Sequence, residues 1–224
     1  MDKNRKLIDW RCVDTVLLDM DGTLLDLHFD NHFWQTHLPR RYAEQHGLTP
    51  AAALTYLEAR FAAEHGKLNW YCLDFWQQEL QMDIVALKRE VSHLIAMRPH
   101  SAAFLSALKA ANKDVWLVTN AHMDSVNLKL QHTPLAQWMD RIVSSHQLGA
   151  AKETQAFWCA LQNVHPFNTA RSVFVDDTLS VLQAAKTYGI GQLLCIKHPD
   201  SRAPVREVSV FPAVNDFDEV LPIV

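Results

Sequence analysis

Two aspartates one residue apart, Asp19 and Asp21, stand at the end of an apolar run in VDTVLLDMDGTLL (Val13 to Leu25), and a Gly-Thr pair follows them directly. Carboxylates this close, with no basic residue beside them in sequence, repel one another; a hard divalent cation such as Mg²⁺, with its oxygen ligands, relieves that repulsion. Two acids also suit two tasks. Asp19 is placed to attack an electrophile, and Asp21 to give a proton to a leaving oxygen and later take one from water. Gly22 permits a sharp turn, and Thr23 is expected to satisfy the backbone that the turn frees. A bare D-x-D-G is equally an Asp-Gly turn with Asp19 capping a neighbour, so its context has to decide.

The elements that must position these acids come next. Val16, Leu17 and Leu18 form a continuous apolar run, which predicts a strand buried on both faces. Ligands of an open α/β sheet bind beyond the carboxyl ends of its strands, which puts Asp19 and Asp21 at the mouth of a site. Later segments repeat the pattern. Val115 to Thr119 (VWLVT) runs into Asn120, a weaker strand over Arg141 to Ser144 is followed by Lys152, and Ser172 to Asp177 (SVFVDD) ends in Asp176 and Asp177. A fifth strand is expected over Gln192 to Ile196. Helices are expected over Ser101 to Asn112, through Leu130, from Lys152 past Phe157, Trp158 and Leu161, and from Thr178 to Tyr188, where Gly189 stops it. Alternating strands and helices predict an α/β fold with a doubly wound, Rossmann-like parallel sheet. A hydroxyl, an ammonium and two pairs of carboxylates converging around a cation describe a phosphoryl-transfer site.

Between the first and second strands lies a helical insertion of about seventy residues. One helical stretch runs from Phe29 to a stop at Gly47; Thr49 and Pro50 open another that reaches Gly66; a third spans Leu68 to Leu80; Asp83 caps a fourth that Arg98-Pro99 ends. The chain thus divides into a core of residues 1–26 and 98–224 and a helical cap of residues 27–97, joined by linkers near Leu25 to His28 and Met97 to Pro99. A cap on two adjacent linkers can rock over the site and exclude water. His28 and His32 share helical spacing without further ligands and read as solvated helix-face residues. Beyond Arg202 the only expected element is a short helix near Asp216 to Val220.

Bulk properties narrow the field. The chain has 224 residues, 49% hydrophobic and 21% charged, which is an ordinary globular composition. A net charge of -4 offers no basic face for nucleic acid. The opening MDKNRKLIDW has no signal-like apolar segment, and no run reaches the ~20 apolar residues of a membrane helix. Four scattered cysteines indicate neither disulfides nor a thiolate zinc site, and a cytoplasmic location is expected.

With these residues in view, the chain resembles the haloacid dehalogenase superfamily over nearly its whole length. D-M-D-G-T-L at Asp19 to Leu24, V-T-N at Val118 to Asn120, Lys152, and V-D-D at Val175 to Asp177 are similar to that family's four motifs, in order, and the insertion to its first type of cap. The resemblance implies that Asp19 is the nucleophile of an aspartyl-phosphate and Asp21 the general acid and base, also holding Mg²⁺ through its carbonyl. It further implies that Thr119, with Asn120, binds phosphate, that Lys152 balances the charge of Asp19 and the phosphate, and that Asp177 ligates Mg²⁺, with Asp176 doing so directly or through water. FDNHFWQTHLP (Phe29 to Pro39), LNWYCLDFW (Leu68 to Trp76) and TNAH (Thr119 to His122) resemble the bacterial GMP/IMP nucleotidase branch. This implies a small-molecule phosphate ester as substrate, a purine nucleoside 5′-monophosphate, with Trp34, Trp70, Tyr71 and Trp76 as candidates for stacking on the base and Asn31, Asn69 and Asp74 for its polar edge; the same aromatics also suit the core of a helical cap. A dehalogenase has no use for a proton donor at Asp21, because halide leaves without a proton. A sugar-phosphate phosphatase, phosphoglycolate-type phosphatase or phosphomutase shares the whole constellation. A phosphoacceptor receiver carries its acids in the opposite order, and an inactive binding module does not need both Asp19 and Asp21.

Overall fold

The computed structural model describes residues 7–223; the first six residues of the opening segment lie outside it. Its frame is a six-stranded sheet, parallel throughout, of β1 (Thr15–Leu18), β2 (Asp114–Thr119), β3 (Arg141–Ser144), β4 (Ser172–Asp176), β5 (Gln192–Ile196) and β6 (Ala213–Val214), in the order β3-β2-β1-β4-β5-β6. This is the doubly wound order of α/β sheets, whose direction reverses between β1 and β4. Each central strand is buried on both faces by alternation. Val16, Leu18, Val115, Leu117, Val173 and Val175 join one hydrophobic cluster, while Leu17, Trp116, Val118 and Phe174 join the other.

Helices α1 (His28–His32), α2 (Leu38–His46), α3 (Pro50–Glu64), α4 (Leu68–Tyr71), α5 (Leu73–Leu80) and α6 (Ile84–Glu90) all fall between β1 and β2 and share a third hydrophobic cluster around Phe33, Leu57, Trp76 and Ile84. The two crossings into this layer lie side by side: Asp26 N donates to Ala96 O at 2.9 Å, and Arg98 N to Leu24 O at 2.9 Å. The core helices are α7 (Ser101–Ala110), α8 (Met123–His132), α9 (Ser145–Leu148), α10 (Gln155–Val164) and α11 (Leu179–Tyr188). Among the described residues, no helix is long and apolar enough to cross a membrane.

Several boundaries differ from the sequence reading, each for a local reason. The third insertion helix breaks at Cys72, whose extended backbone lets its Sγ accept from Phe75 N and cap α5. The fourth ends at Glu90 and gives way to a 3₁₀ turn over Ser92–Leu94. Helix α10 starts at Gln155 because Thr154 Oγ1 accepts from Phe157 N, so Lys152 stands in the turn before it rather than opening it. The two-residue β6 carries no pattern of its own, and the last element is a 3₁₀ turn over Phe217–Val220. His28 is not a solvated helix-face residue: its Nδ1 lies 3.6 Å from Asp200 Oδ1, and its ring stands 5.9 Å from that of His32.

Candidate active site

The chain leaves β1 through a turn built on Gly22, whose φ of +82° is open to glycine at little cost. A Cβ there would meet Asp177 Cγ and Pro199 Cβ at 2.9 Å, so the missing side chain also lets motif residues from two strands close up. The turn's backbone is satisfied by its own carbonyls, Gly22 N donating to Leu25 O and Leu25 N to Met20 O, each at 2.8 Å. Thr23 does not fill that role: its Oγ1 is buried without a partner.

At the carboxyl ends of β1 and β4, where the strand order reverses, Lys152 enters from the β3 side. Its Nζ donates to Asp19 Oδ1 at 2.5 Å, Asp176 Oδ2 at 2.8 Å and Val118 O at 3.1 Å. The lysine is placed by its own backbone, since Lys152 N donates to Asn120 Oδ1 at 2.9 Å and Lys152 O accepts from Trp158 Nε1 at 2.9 Å. Asp176 is oriented by Thr178 N, which donates to its Oδ1 at 2.7 Å, and Asp177 Oδ2 lies 3.6 Å from Arg206 Nη2. Thr119, buried, accepts from Ala121 N at 3.0 Å, which leaves its hydroxyl proton to give. Asn120 reaches the same cavity, but its side chain is committed: besides holding Lys152, its Nδ2 donates to Glu153 Oε2 at 2.9 Å.

Burial and charge act against each other here. Burial pushes Asp19 and Asp176 up to about 6, against the pull of Lys152, and Asp177 up to about 7, with the charge of Asp19 adding to the rise. Burial alone lowers Lys152, but the charges of Asp176 and Asp19 outweigh it and hold the ammonium protonated. Oxygens of Asp19, Asp176 and Asp177 lie within 4.8 Å of one another. Three clustered buried carboxylates, two of them on Lys152, with oxygen as the only donor type, fit a hard divalent cation such as Mg²⁺.

Asp21 faces the other way. Its Oδ1 lies 2.6 Å from Lys129 Nζ of α8, close but outside hydrogen-bond geometry, and burial raises its carboxyl to about 6. Lys129 also donates to Asp30 Oδ2, and Lys88 to Asp30 Oδ1, each at 2.7 Å. None of these three residues was legible in the sequence. Lys129 sits in N-L-K-L-Q and Lys88 in A-L-K-R-E, both of which look like ordinary helix-surface patterns.

Asp19, Asp21, Asp30, Lys88, Thr119, Asn120, Lys129, Lys152, Asp176 and Asp177 line one cavity of about 570 Å³, whose wall also carries Trp34, Trp70, Tyr71 and His65. The structure therefore brings Asp19, Asp21, Thr119, Asn120, Lys152, Asp176 and Asp177 to one space with Trp34, Trp70 and Tyr71, and leaves three other expected residues outside it. Trp34 and Trp70 stack with ring centroids 6.2 Å apart, and each also packs on Phe61 and Trp76, so they are at once cavity wall and edge of the helical cluster. Trp76 is fully buried, donates to Trp70 O and forms no part of the wall. Asn69 turns outward to Glu64, and the exposed Asp74 lies 3.5 Å from His122; of the three polar insertion residues expected there, Asn31 alone lines the cavity. Glu153, one residue beyond Lys152, accepts from Tyr71 Oη at 2.6 Å and so joins the insertion to the core.

Comparison with known proteins agrees with this geometry. Residues 13–189 match the haloacid dehalogenase-like hydrolase family. The chain is 40% identical over 215 residues, 96% of its length and 97% of the relative's, to the GMP/IMP nucleotidase YrfG of Escherichia coli (strain K12), and equally to that of Shigella flexneri. A HAD phosphatase from Thermococcus onnurineus shares the fold at a TM-score of 0.75 and 18% identity, over 93% of this chain and 96% of that one. A putative beta-phosphoglucomutase from Thermotoga maritima does so at a TM-score of 0.58 and 21% identity, over 83% and 86%. With its motif residues gathered at the strand ends and the family match spanning most of its length, the chain is an enzyme that belongs to the haloacid dehalogenase-like hydrolase family.

Proposed function

We propose that this hydrolase is a phosphomonoesterase that cleaves purine nucleoside 5′-monophosphates, with GMP and IMP preferred, through a phosphorylated Asp19. The observation that carries the reading is the single cavity that joins the aspartate cluster to the Trp34–Trp70 pair. The aspartate cluster suits a phosphate and the tryptophan pair an aromatic base, the two parts of a nucleotide. The 40% identity to GMP/IMP nucleotidases over almost the full length of both chains supports the same substrate.

In this reading Asp19 attacks the phosphorus in line, and the P–O bond to the sugar breaks with its electron pair passing to the ester oxygen. Asp21 supplies the proton that this oxygen needs and then takes one from the water that attacks the phosphorus of the acyl phosphate, freeing Asp19 and inorganic phosphate. Lys152 holds Asp19 in place and offsets charge on the transferring group, and Thr119 gives its hydroxyl proton to a phosphate oxygen. Asp19, Asp176, Asp177 and the Asp21 carbonyl would hold Mg²⁺, which when bound polarises the phosphoryl oxygens and neutralises their charge.

The core reads only phosphate, a group common to every ester, so discrimination falls to the helical layer. We assign residues 27–97 to a cap domain and residues 1–26 and 98–224 to the core, on the strength of the separate helical cluster and the paired crossings. Free cysteines at all four positions suit a reducing, cytoplasmic setting. A panel of phosphate esters tests the reading: kcat/KM is expected to be highest for GMP and IMP, ahead of AMP, pyrimidine nucleotides and hexose phosphates. A hexose phosphate as best substrate contradicts it.

A further inference from the structure

Asp21, Lys129, Asp30 and Lys88 form an unbroken chain of opposite charges that begins at the sheet edge and ends inside the helical layer. The side chains of Lys88 and Lys129 are 2% and 1% exposed. Rings close around them: Lys88 Nζ lies 4.6 Å from the centre of Phe33, 4.9 Å from Phe29 and 5.5 Å from Trp34, and Lys129 Nζ 5.3 Å from Phe29. Buried ion pairs gain little stability over apolar packing of the same shape, so four charges kept here call for another use.

Position supplies one. Asp21 lines the cavity, and its Oδ1 stands 2.6 Å from the ammonium of Lys129, an ionic contact that draws the carboxyl group toward that side of the cavity. Lys129 in turn cannot swing away, because Asp30 holds it from the insertion and Lys88 holds Asp30. The charge of Lys129 is thereby shared between two carboxylates, whereas Lys152 is the lysine that serves Asp19.

Resting on the reading that Asp21 protonates the leaving oxygen, we propose that Lys129 is a positioning residue for Asp21, held in register by Asp30 and Lys88, so that the helices covering the cavity set where the proton donor stands. The device matters in proportion to the leaving group's need for a proton. The alkoxide of a nucleoside needs one at departure, while a nitrophenolate departs as the anion. The second-order constant kcat/KM reports only the steps up to departure, so later hydrolysis of the phosphorylated enzyme does not blur the comparison.

The test measures kcat/KM of the full-length, Mg²⁺-supplied enzyme for GMP and for 4-nitrophenyl phosphate, in wild type, Lys129→Met and the charge-balanced pair Lys129→Met/Asp30→Asn. The ratio of the two constants is independent of how much of a variant is folded. The expected result is a loss of about 100-fold or more for GMP and less than about tenfold for the nitrophenyl ester in both variants. Equal losses on both esters, or no loss on GMP, overturn the role of Lys129 and leave the site reading standing. A wild-type enzyme that hydrolyses neither ester overturns both.

Discussion

Two buried charge clusters meet at the cavity, and they are built on opposite plans. At the sheet edge Asp19 and Asp176 share Lys152 while Asp177 faces the half-exposed Arg206 at 3.6 Å, which leaves one negative charge in excess. Between core and insertion Asp21 and Asp30 alternate with Lys129 and Lys88, which closes the balance to zero. Burial raises the carboxyls of the first cluster and that of Asp21 in the second, whereas at Asp30 the charges of Lys129 and Lys88 overcome burial and bring it down to about 2. The first cluster is complete only with something added to it; the second is complete as it stands. That contrast separates a group of residues that meets ligand from one that holds geometry.

The largest expected effect breaks the first cluster. Asp19→Asn replaces a nucleophile with an amide of nearly the same shape and is expected to lower kcat by at least about a thousandfold, with no loss of stability by thermal unfolding. Activity near wild type in that variant removes Asp19 from the chemistry. Metal removal comes next: excess EDTA is expected to lower turnover by about a thousandfold, restored by Mg²⁺. The charge excess also predicts that Mg²⁺ raises Tm, and that Asp177→Asn diminishes the rise; a Tm indifferent to Mg²⁺ contradicts the fit.

The second cluster is probed through stability. Asp30→Asn strands the buried Lys88 and leaves Lys129 with Asp21 alone, and is expected to cost about 3 kcal/mol in urea unfolding at pH 6. The pH dependence has a definite sign. Asp30 drops from an ordinary 3.8 to about 2 on folding, so its contribution of about 2 kcal/mol is complete above about pH 5 and fades as pH falls toward 2. The gap between wild type and variant is therefore expected to narrow below pH 4; a gap that stays constant counts against the ion pair as its source. The smallest effect belongs to the cavity wall. Trp34→Ala or Trp70→Ala is expected to lower kcat/KM for GMP by about tenfold and barely affect 4-nitrophenyl phosphate. Equal loss on both would mark these rings as packing alone.

The same contrast explains what the sequence disclosed. The first cluster is carried by strand ends: an apolar run followed at once by an acid, a threonine or a diacid marks Asp19, Thr119 and Asp176, and the parallel order of the sheet brings them together. The second cluster has no such signal. Asp30 and Lys129 are 99 positions apart, and each lies on a helix whose local pattern suits a solvent-facing charge. Only the packing of the insertion on α8 buries them. Glu153 was missed similarly, since nothing beside Lys152 announces that Tyr71 will reach it from 82 residues away. Cys72 as a helix cap and the two-residue β6 lie below what periodicity resolves.

The central claim, that Asp19 takes the phosphoryl group onto its own carboxylate, is tested most directly by quenching the enzyme in acid during turnover of GMP with Mg²⁺ and measuring the mass of the intact chain and its peptides. One phosphoryl group is expected on the peptide that contains Asp19, absent from Asp19→Asn. Continued turnover with no such adduct, or an adduct on a different residue, would contradict it.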